Sequence, residues 1–93
     1  SGLKLANIDE MQTKYYLRLD VEDKSGVLAK VATVLGDRNI SIKTMVQKAS
    51  TTNNVNLLLS THSCKELDIK NALEELKNTG LVKYNPAMIR IEE

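Results

Sequence analysis

Phenylalanine and tryptophan are absent from this 93-residue chain, and histidine, cysteine and proline occur once each. Each scarcity removes a class of function. With Cys64 alone, no disulfide can close within the chain and no thiolate cluster can hold a metal. A closed zinc site wants about four His, Cys or carboxylate ligands, and neither a Cys-x-x-Cys motif nor a second histidine beside His62 exists. No metal is therefore expected, and a metallochaperone is disfavoured. A single cysteine also fits a reducing cytoplasm, which is the expected location. No apolar run approaches the roughly 18 to 20 residues of a membrane span. No basic start followed by an apolar stretch marks a secretory leader. An excess of one charge is missing too. Thirteen basic and 12 acidic residues leave +1, which gives no general pull toward nucleic acid or an anionic membrane.

What is there suffices for one small domain. Apolar residues make up 42% of the chain and recur in nearly every segment, so composition does not predict disorder. The chain begins Ser1-Gly2 and reads as a fragment, those two residues being expected remnants of expression. Residues 1–14 show no sustained period and are read as a linker from a preceding domain. From Tyr15 the pattern sharpens. Tyr15, Leu17, Leu19 and Val21 alternate with Tyr16, Arg18, Asp20 and Glu22, the period of a half-buried strand.

Asp23-Lys24-Ser25-Gly26 interrupts that strand. Val27, Leu28, Val31, Val34 and Leu35 then form one helical stripe, which stops before Gly36-Asp37-Arg38-Asn39. A second strand follows, with Ile40, Ile42 and Val46 alternating with Ser41, Lys43, Met45 and Gln47. The polar stretch from Ala49 to Asn54 reads as a hairpin turn. Val55, Leu57 and Leu59 supply the inward face of a third strand, and Leu58 breaks its alternation, marking it as central. Ser63 and Glu66 have the spacing of a capping box ahead of the stripe Ile69, Ala72, Leu73 and Leu76, which Gly80 ends. Val82, Ile89 and Ile91 mark a last strand, interrupted at Asn85-Pro86. Proline donates no ladder hydrogen bond, so this strand is an edge or carries a bulge.

The order β-α-β-β-α-β, with one apolar stripe per helix, predicts an α+β fold. It is the ferredoxin-like sandwich, a four-stranded antiparallel sheet with two helices on one face. That fold hosts many activities, so function has to come from particular residues. His62 and Cys64 would share a face only if the third strand ran on to Cys64, and the helix start at Ser63 argues against it, so no catalytic pair is expected. RNA-binding proteins of this shape stack bases on sheet aromatics. Here only Tyr16 is placed to do so, with Arg18 and Arg90 beside it, and nucleic acid is not an expected partner. A phosphatase would need a paired Arg and Asn at a phosphate-binding turn, and none is found.

The turn at 23–26 is more informative. It ends a strand and opens a helix, so its backbone N–H groups lie at the positive end of a helix dipole. Gly26 lets a ligand approach the backbone, Asp23 can accept hydrogen bonds from an ammonium group, and the amides can receive a carboxylate. A free amino acid carries both groups a few ångströms apart. The plainer alternative is that Asp23 and Ser25 cap the helix and Gly26 turns the chain.

The run YYLRLDVEDKSGVLAKVATVLGDRNISI, Tyr15 to Ile42, resembles the opening half of ACT domains: a strand, an acidic residue, a Gly-Val-Leu turn, a helix and an Ile-rich strand. Tyr15-Tyr16-Leu17-Arg18, Thr61-His62 followed by Glu66, and Pro86-Ala87-Met88-Ile89-Arg90-Ile91-Glu92 further resemble the C-terminal regulatory domain of bacterial homoserine dehydrogenases. The resemblance covers roughly residues 14–92, giving an ACT domain at 15–92. It implies that two such domains pair side by side or edge to edge and bind L-threonine or another free amino acid at their interface. The contacts would come from Asp23, Lys24, Ser25, Gly26, Val27 and Leu28, with Ile40, Ser41 and Ile42 opposite. Asp23 would hold the ammonium, the Gly26 to Leu28 amides the carboxylate, and Ser41 would reach across the interface. Ser25 stands where the family commonly has proline, which loosens the turn.

By the same resemblance, the parent enzyme reduces aspartate semialdehyde to homoserine with NAD(P)H and is inhibited by threonine, within threonine and methionine biosynthesis. Its catalytic residues and dinucleotide site would lie upstream, leaving this fragment neither catalyst nor cofactor binder. Two alternatives stand beside this reading: an ACT domain that only holds subunits together, or one serving another amino-acid enzyme. Aspartate kinases often carry tandem ACT repeats, whereas no internal repeat is seen here.

Overall fold

The structure is a computed structural model that describes residues 11–49, 53–83 and 86–91. Seven elements follow one another: β1 (Gln12–Glu22), α1 (Val27–Asp37), β2 (Ile42–Ala49), β3 (Asn54–Thr61), β4 (Cys64–Lys65), α2 (Glu66–Asn78) and β5 (Ala87–Ile91). All strand pairings are antiparallel. Tyr16 of β1 pairs with Ser60 on β3 and with Ile89 on β5, which makes β1 central, and β2 lies outside β3. This is the expected four-stranded arrangement, with the two residues of β4 added against the start of β1.

Alternation decides which face is buried. Tyr15, Leu17, Leu19 and Val21 are each at most 2% exposed, while Tyr16 and Arg18 between them face outward. Val55, Leu57 and Leu59 of β3 join them. Val31, Val34 and Leu35 of α1 and Ile69, Ala72 and Leu76 of α2 belong to the same core, so both helices cover one face of the sheet. Gly26, with φ of 83°, is the N-cap of α1, and Gly80, with φ of 75°, follows the end of α2. Both sit in the left-handed region that side chains disfavour.

Four local expectations are corrected. First, Gln12, Thr13 and Lys14, read as the end of a linker, belong to β1. Second, Val46 does not face the core. A register shift between Ile42 and Thr44 turns Met45 against the core and leaves Val46 50% exposed, because one extra residue swaps the faces of a strand. Third, Ser63 and Glu66 form no capping box. The N-cap of α2 is Lys65, without a side-chain cap bond, and the chain re-enters the sheet at Cys64–Lys65 before the helix begins. Fourth, Arg90 does not flank Tyr16. It pairs with Tyr15 across β1 and β5, and its side chain turns to Glu66.

Candidate functional site

Beyond Glu22 the chain leaves the sheet through Asp23 to Gly26. Asp23 N–H donates to the Asn53 carbonyl at 3.2 Å, tying the turn to the segment that leads into β3. Lys24 N–H donates to Glu22 O (3.0 Å), Val27 N–H to Lys24 O (3.3 Å), and Lys30 N–H to Gly26 O (3.0 Å), where α1 starts. The Val27 amide is thus engaged inside the turn, while the turn's own residues, Asp23 to Gly26, are exposed. Apart from its two chain neighbours, no heavy atom of the described residues lies within 4 Å of where a Gly26 Cβ would stand, so its constraint is the backbone angle. No side-chain bond caps α1, which removes the plain capping role for Asp23 and Ser25.

Glu22 organises the charges beside this turn. Its Oε2 is 3.1 Å from Lys24 Nζ and its Oε1 is 2.6 Å from Lys83 Nζ. Lys83 arrives there because Val82 bridges Val21 and the Lys83 N–H donates to Asp20 O at 2.8 Å. Hydrogen bonding to Lys83 first, then to Lys24, holds the Glu22 carboxyl below the usual carboxylate value. A cavity of about 530 Å³ opens here, lined by Glu22, Asp23, Lys24, Asn53, Asn54 and Lys83. Two carboxylates, two ammonium groups and two amides make it charge-balanced and rich in donors and acceptors. Glu22, Asn53, Asn54 and Lys83 escaped the sequence reading. The polar stretch before β3 was visible there, but nothing local signals that Lys83 folds back beside Glu22.

The remaining expected contact residues lie elsewhere. Glu22 pairs with Asn54 at one end of the sheet, and Ile42 pairs with Thr61 at the other. Ser41, exposed, accepts the His62 N–H at that far end (2.9 Å). The eight residues of β2 separate the two groups by roughly 25 Å at about 3.3 Å per residue. Asp23 to Leu28 and Ile40 to Ile42 therefore do not meet within one chain. Moreover, the Ile40 and Val27 side chains are buried in the core and Leu28 and Ile42 pack against it.

At that far end sits a polar cluster of another kind. Glu66, 4% exposed, accepts the Tyr15 hydroxyl at 3.3 Å and an Arg90 Nη2–H at 2.5 Å on the same oxygen, Oε1. The Arg90 guanidinium, more than burial opposes it, keeps the Glu66 carboxyl below its usual value. Burial first, then the Glu66 charge, pushes the Tyr15 phenol up. Thr61 Oγ1 accepts the Tyr15 N–H (3.1 Å), and the buried Cys64 thiol, raised by desolvation, lies 3.8 Å from it. His62 is exposed, so the two residues do not form a nucleophile–base pair. No group of three or more His, Cys, Asp or Glu is arranged to hold a metal among the described residues, and no helix among them is long and apolar enough to cross a membrane.

Comparison with known proteins agrees with the fold. Residues 15–80 match the ACT domain family. Homoserine dehydrogenase of Helicobacter pylori is 38% identical over 91 residues, 97% of this chain and 22% of that protein. A crystal structure of a homoserine dehydrogenase from Thiobacillus denitrificans superposes with a TM-score of 0.83 at 34% identity, over 92% of this chain and 19% of that one. The ACT domain from GTP pyrophosphokinase of Chlorobium tepidum shares the fold, with a TM-score of 0.66 at 16% identity over 85% of this chain and all of that one. The chain spans about a fifth of the length of the curated relatives it matches.

Proposed function

The chain belongs to the ACT domain family, and on that premise we propose that it is the amino-acid-binding allosteric domain at the C-terminal end of a homoserine dehydrogenase. The observation that carries this reading is the charge-balanced cavity at the β1–α1 turn. A zwitterion suits it. Asp23 takes the ammonium group, and the amides at the head of α1, on either side of the engaged Val27, receive the carboxylate. Gly26 leaves the approach clear.

The separation of the two contact groups is the reason to invoke a second copy. β2 is an edge strand. An antiparallel partner strand on that edge brings Ser41 of the partner subunit toward the Asp23 turn and covers the open edge. The effector is L-threonine or another free amino acid. Binding at the seam favours one pairing geometry, and the segment before β1 passes that bias to the rest of the protein. A coupling of about 1 to 3 kcal/mol suffices.

In this reading the parent protein reduces aspartate semialdehyde to homoserine with NAD(P)H in the cytoplasm and is inhibited by threonine. This chain does not hold the dinucleotide. Its glycines, at 2, 26, 36 and 80, form no Gly-x-Gly-x-x-Gly turn, so hydride chemistry belongs to the remaining four-fifths of such a protein.

The test is thermal stability against a panel of amino acids, with mass followed by light scattering. Threonine at 100 times its dissociation constant is expected to stabilise a dimer by about 2.7 kcal/mol, and Asp23→Ala is expected to remove the response while the domain stays folded. A stable dimer that no amino acid stabilises would replace this reading with a purely structural pairing module, the role that Ser25 in place of proline favours.

A further inference from the structure

Where the chain enters the sheet, β1 changes partner. Tyr16 pairs with Ser60 on β3, whereas Thr13 pairs with Cys64 on β4. Two residues, Lys14 and Tyr15, lie between these pairs on β1, and three, Thr61, His62 and Ser63, lie between them on the other side. β3 and β4 are therefore one line of strand interrupted by a bulge with one extra residue. The register shift between Ile42 and Thr44 of β2 adjoins this bulge, because Ile42 pairs with Thr61.

Hydrogen bonds carry this joint from the start of β2 to the start of β1. The His62 N–H donates to the Ser41 carbonyl at 2.9 Å. The Tyr15 N–H donates to Thr61 Oγ1 at 3.1 Å, a side chain standing in for a strand carbonyl. Past the bulge, the Glu66 N–H donates to the Met11 carbonyl at 3.3 Å. β4 is only two residues long, a short pairing that local opening reaches early. Ser41, His62 and Ser63 are exposed, so a group that touches Ser41 from outside bears directly on the joint. The Asp23 turn of the same chain is remote from it. The 11 residues of β1 span roughly 36 Å at about 3.3 Å per residue.

We infer that an amino acid held at the Asp23 turn of one copy acts on the N-terminal segment of the other copy, through Ser41, the bulge at His62 and Ser63, and β4. This rests on the reading above, in which Ser41 of the partner subunit reaches the ligand across the β2 edge. From that serine to the start of β1 the route is one hydrogen bond and one bulge. Within the copy that holds the ammonium group, the route is the whole length of β1. A ligand that fixes the Ser41 carbonyl fixes His62 and the step into β4, and with them the hold of Cys64 and Lys65 on Thr13 and Gln12. The preference is reciprocal: a closed joint presents Ser41 to the ligand, and the ligand favours the closed joint. Each site thereby sets the order of its neighbour's entry segment.

Amide hydrogen exchange by NMR in mixed dimers tests this. Isotope-labelled Asp23→Ala chain, altered at an exposed position, is mixed with a large excess of unlabelled, unmodified chain. The labelled chain then has an impaired turn of its own but lends Ser41 to an intact one. L-threonine is expected to slow exchange at the His62 and Glu66 amides of the labelled chain by at least about fivefold, the lower end of ordinary allosteric coupling. The Lys83 amide, bonded to Asp20 O at the other end of the sheet, is expected to keep its rate in that chain. Labelled Asp23→Ala chain alone is expected to show no change. If threonine slows exchange in the unmodified chain but leaves His62 and Glu66 of the labelled variant unmoved in the mixture, the inference falls and amino-acid binding stands. Uniform slowing that includes Lys83 overturns it as well, since general stabilisation of the pair predicts that result. An unmodified chain in which neither threonine nor any other amino acid slows exchange removes the reading beneath the inference, and the inference with it.

Discussion

Glu22 and Glu66 lie toward opposite ends of β1, where Glu22 gathers two lysines and Glu66 gathers Tyr15, Arg90 and Lys70, yet the two ends differ in how deeply the carboxylate is placed. Glu66 is almost wholly shielded and is held by a half-buried arginine on β5 and a fully buried tyrosine on β1. Glu22 is 36% exposed and is held by two lysines, each with two-fifths or more of its side chain in water. A buried carboxylate cannot lose its partners without stranding a charge. An exposed one can, since water replaces them at little cost. One end therefore joins three elements into a fixed frame. The other keeps a charged rim, partly in water, around an open cavity, the place proposed above for a ligand.

The comparison can be broken most directly by mutation. Glu66→Gln removes the counter-charge of Arg90 and is expected to cost about 2 to 3 kcal/mol in urea unfolding followed by circular dichroism. Glu22→Gln is expected to leave the urea midpoint in place. Equal losses at both sites would mean that exposure does not separate the two ends.

Next in size is the pH dependence of stability. Glu66 is held below its ordinary value of 4.5 in the folded state, so its contribution is complete above about that pH and is lost as pH falls through the folded value. Tyr15 and Cys64 are raised above 10.0 and 9.0. Their contributions are complete below those values and are lost as pH rises through the folded ones. Stability measured across pH is thus expected to fall at both extremes, and Glu66→Gln to flatten the acid limb. An acid limb unchanged in that variant would place its origin elsewhere.

A smaller effect is expected at the turn. Gly26→Ala meets no atom but must hold φ near 83°, which costs about 1 kcal/mol. Gly36→Ala, inside α1 with equally open space, is expected to stabilise by about 0.5 to 1 kcal/mol. Thermal unfolding of the pair separates backbone strain from crowding. Smallest is Lys83→Ala. It removes the first cause of the Glu22 depression, so NMR titration is expected to find the Glu22 carboxyl closer to 4.5 with the melting temperature unmoved. An unmoved titration would mean that Lys24 alone sets that carboxyl.

Much of the fold was legible before any coordinates. Period two along β1 and β3 and single stripes on both helices identified the inward residues, since each pattern records a neighbour relation two to four positions long. The reading went astray where one residue changed the count. At Lys43 the register shift moved Met45 inward and Val46 outward, and periodicity carries no sign of it. Glu66 had the spacing of a capping residue and became a buried partner of Tyr15 and Arg90, residues 51 and 24 positions away. The turn itself was readable from Asp23 to Gly26, whereas the walls of its cavity were not, because Asn53 and Lys83 reach it through pairings with the end of β1.

By itself, then, the sequence determined the order of the elements other than β4, the faces most of them bury, the family resemblance and the turn proposed to receive a ligand, all of which rest on local spacing and residue type. Only the tertiary structure decided which charges meet, that Lys83 and Lys24 share Glu22, and that Arg90 turns away from Tyr16 toward Glu66. It alone also set Asp23 and Ser41 at opposite ends of one sheet. Those outcomes depend on strand register and chain crossings over tens of residues, where a shift of a single position exchanges the two faces of a strand.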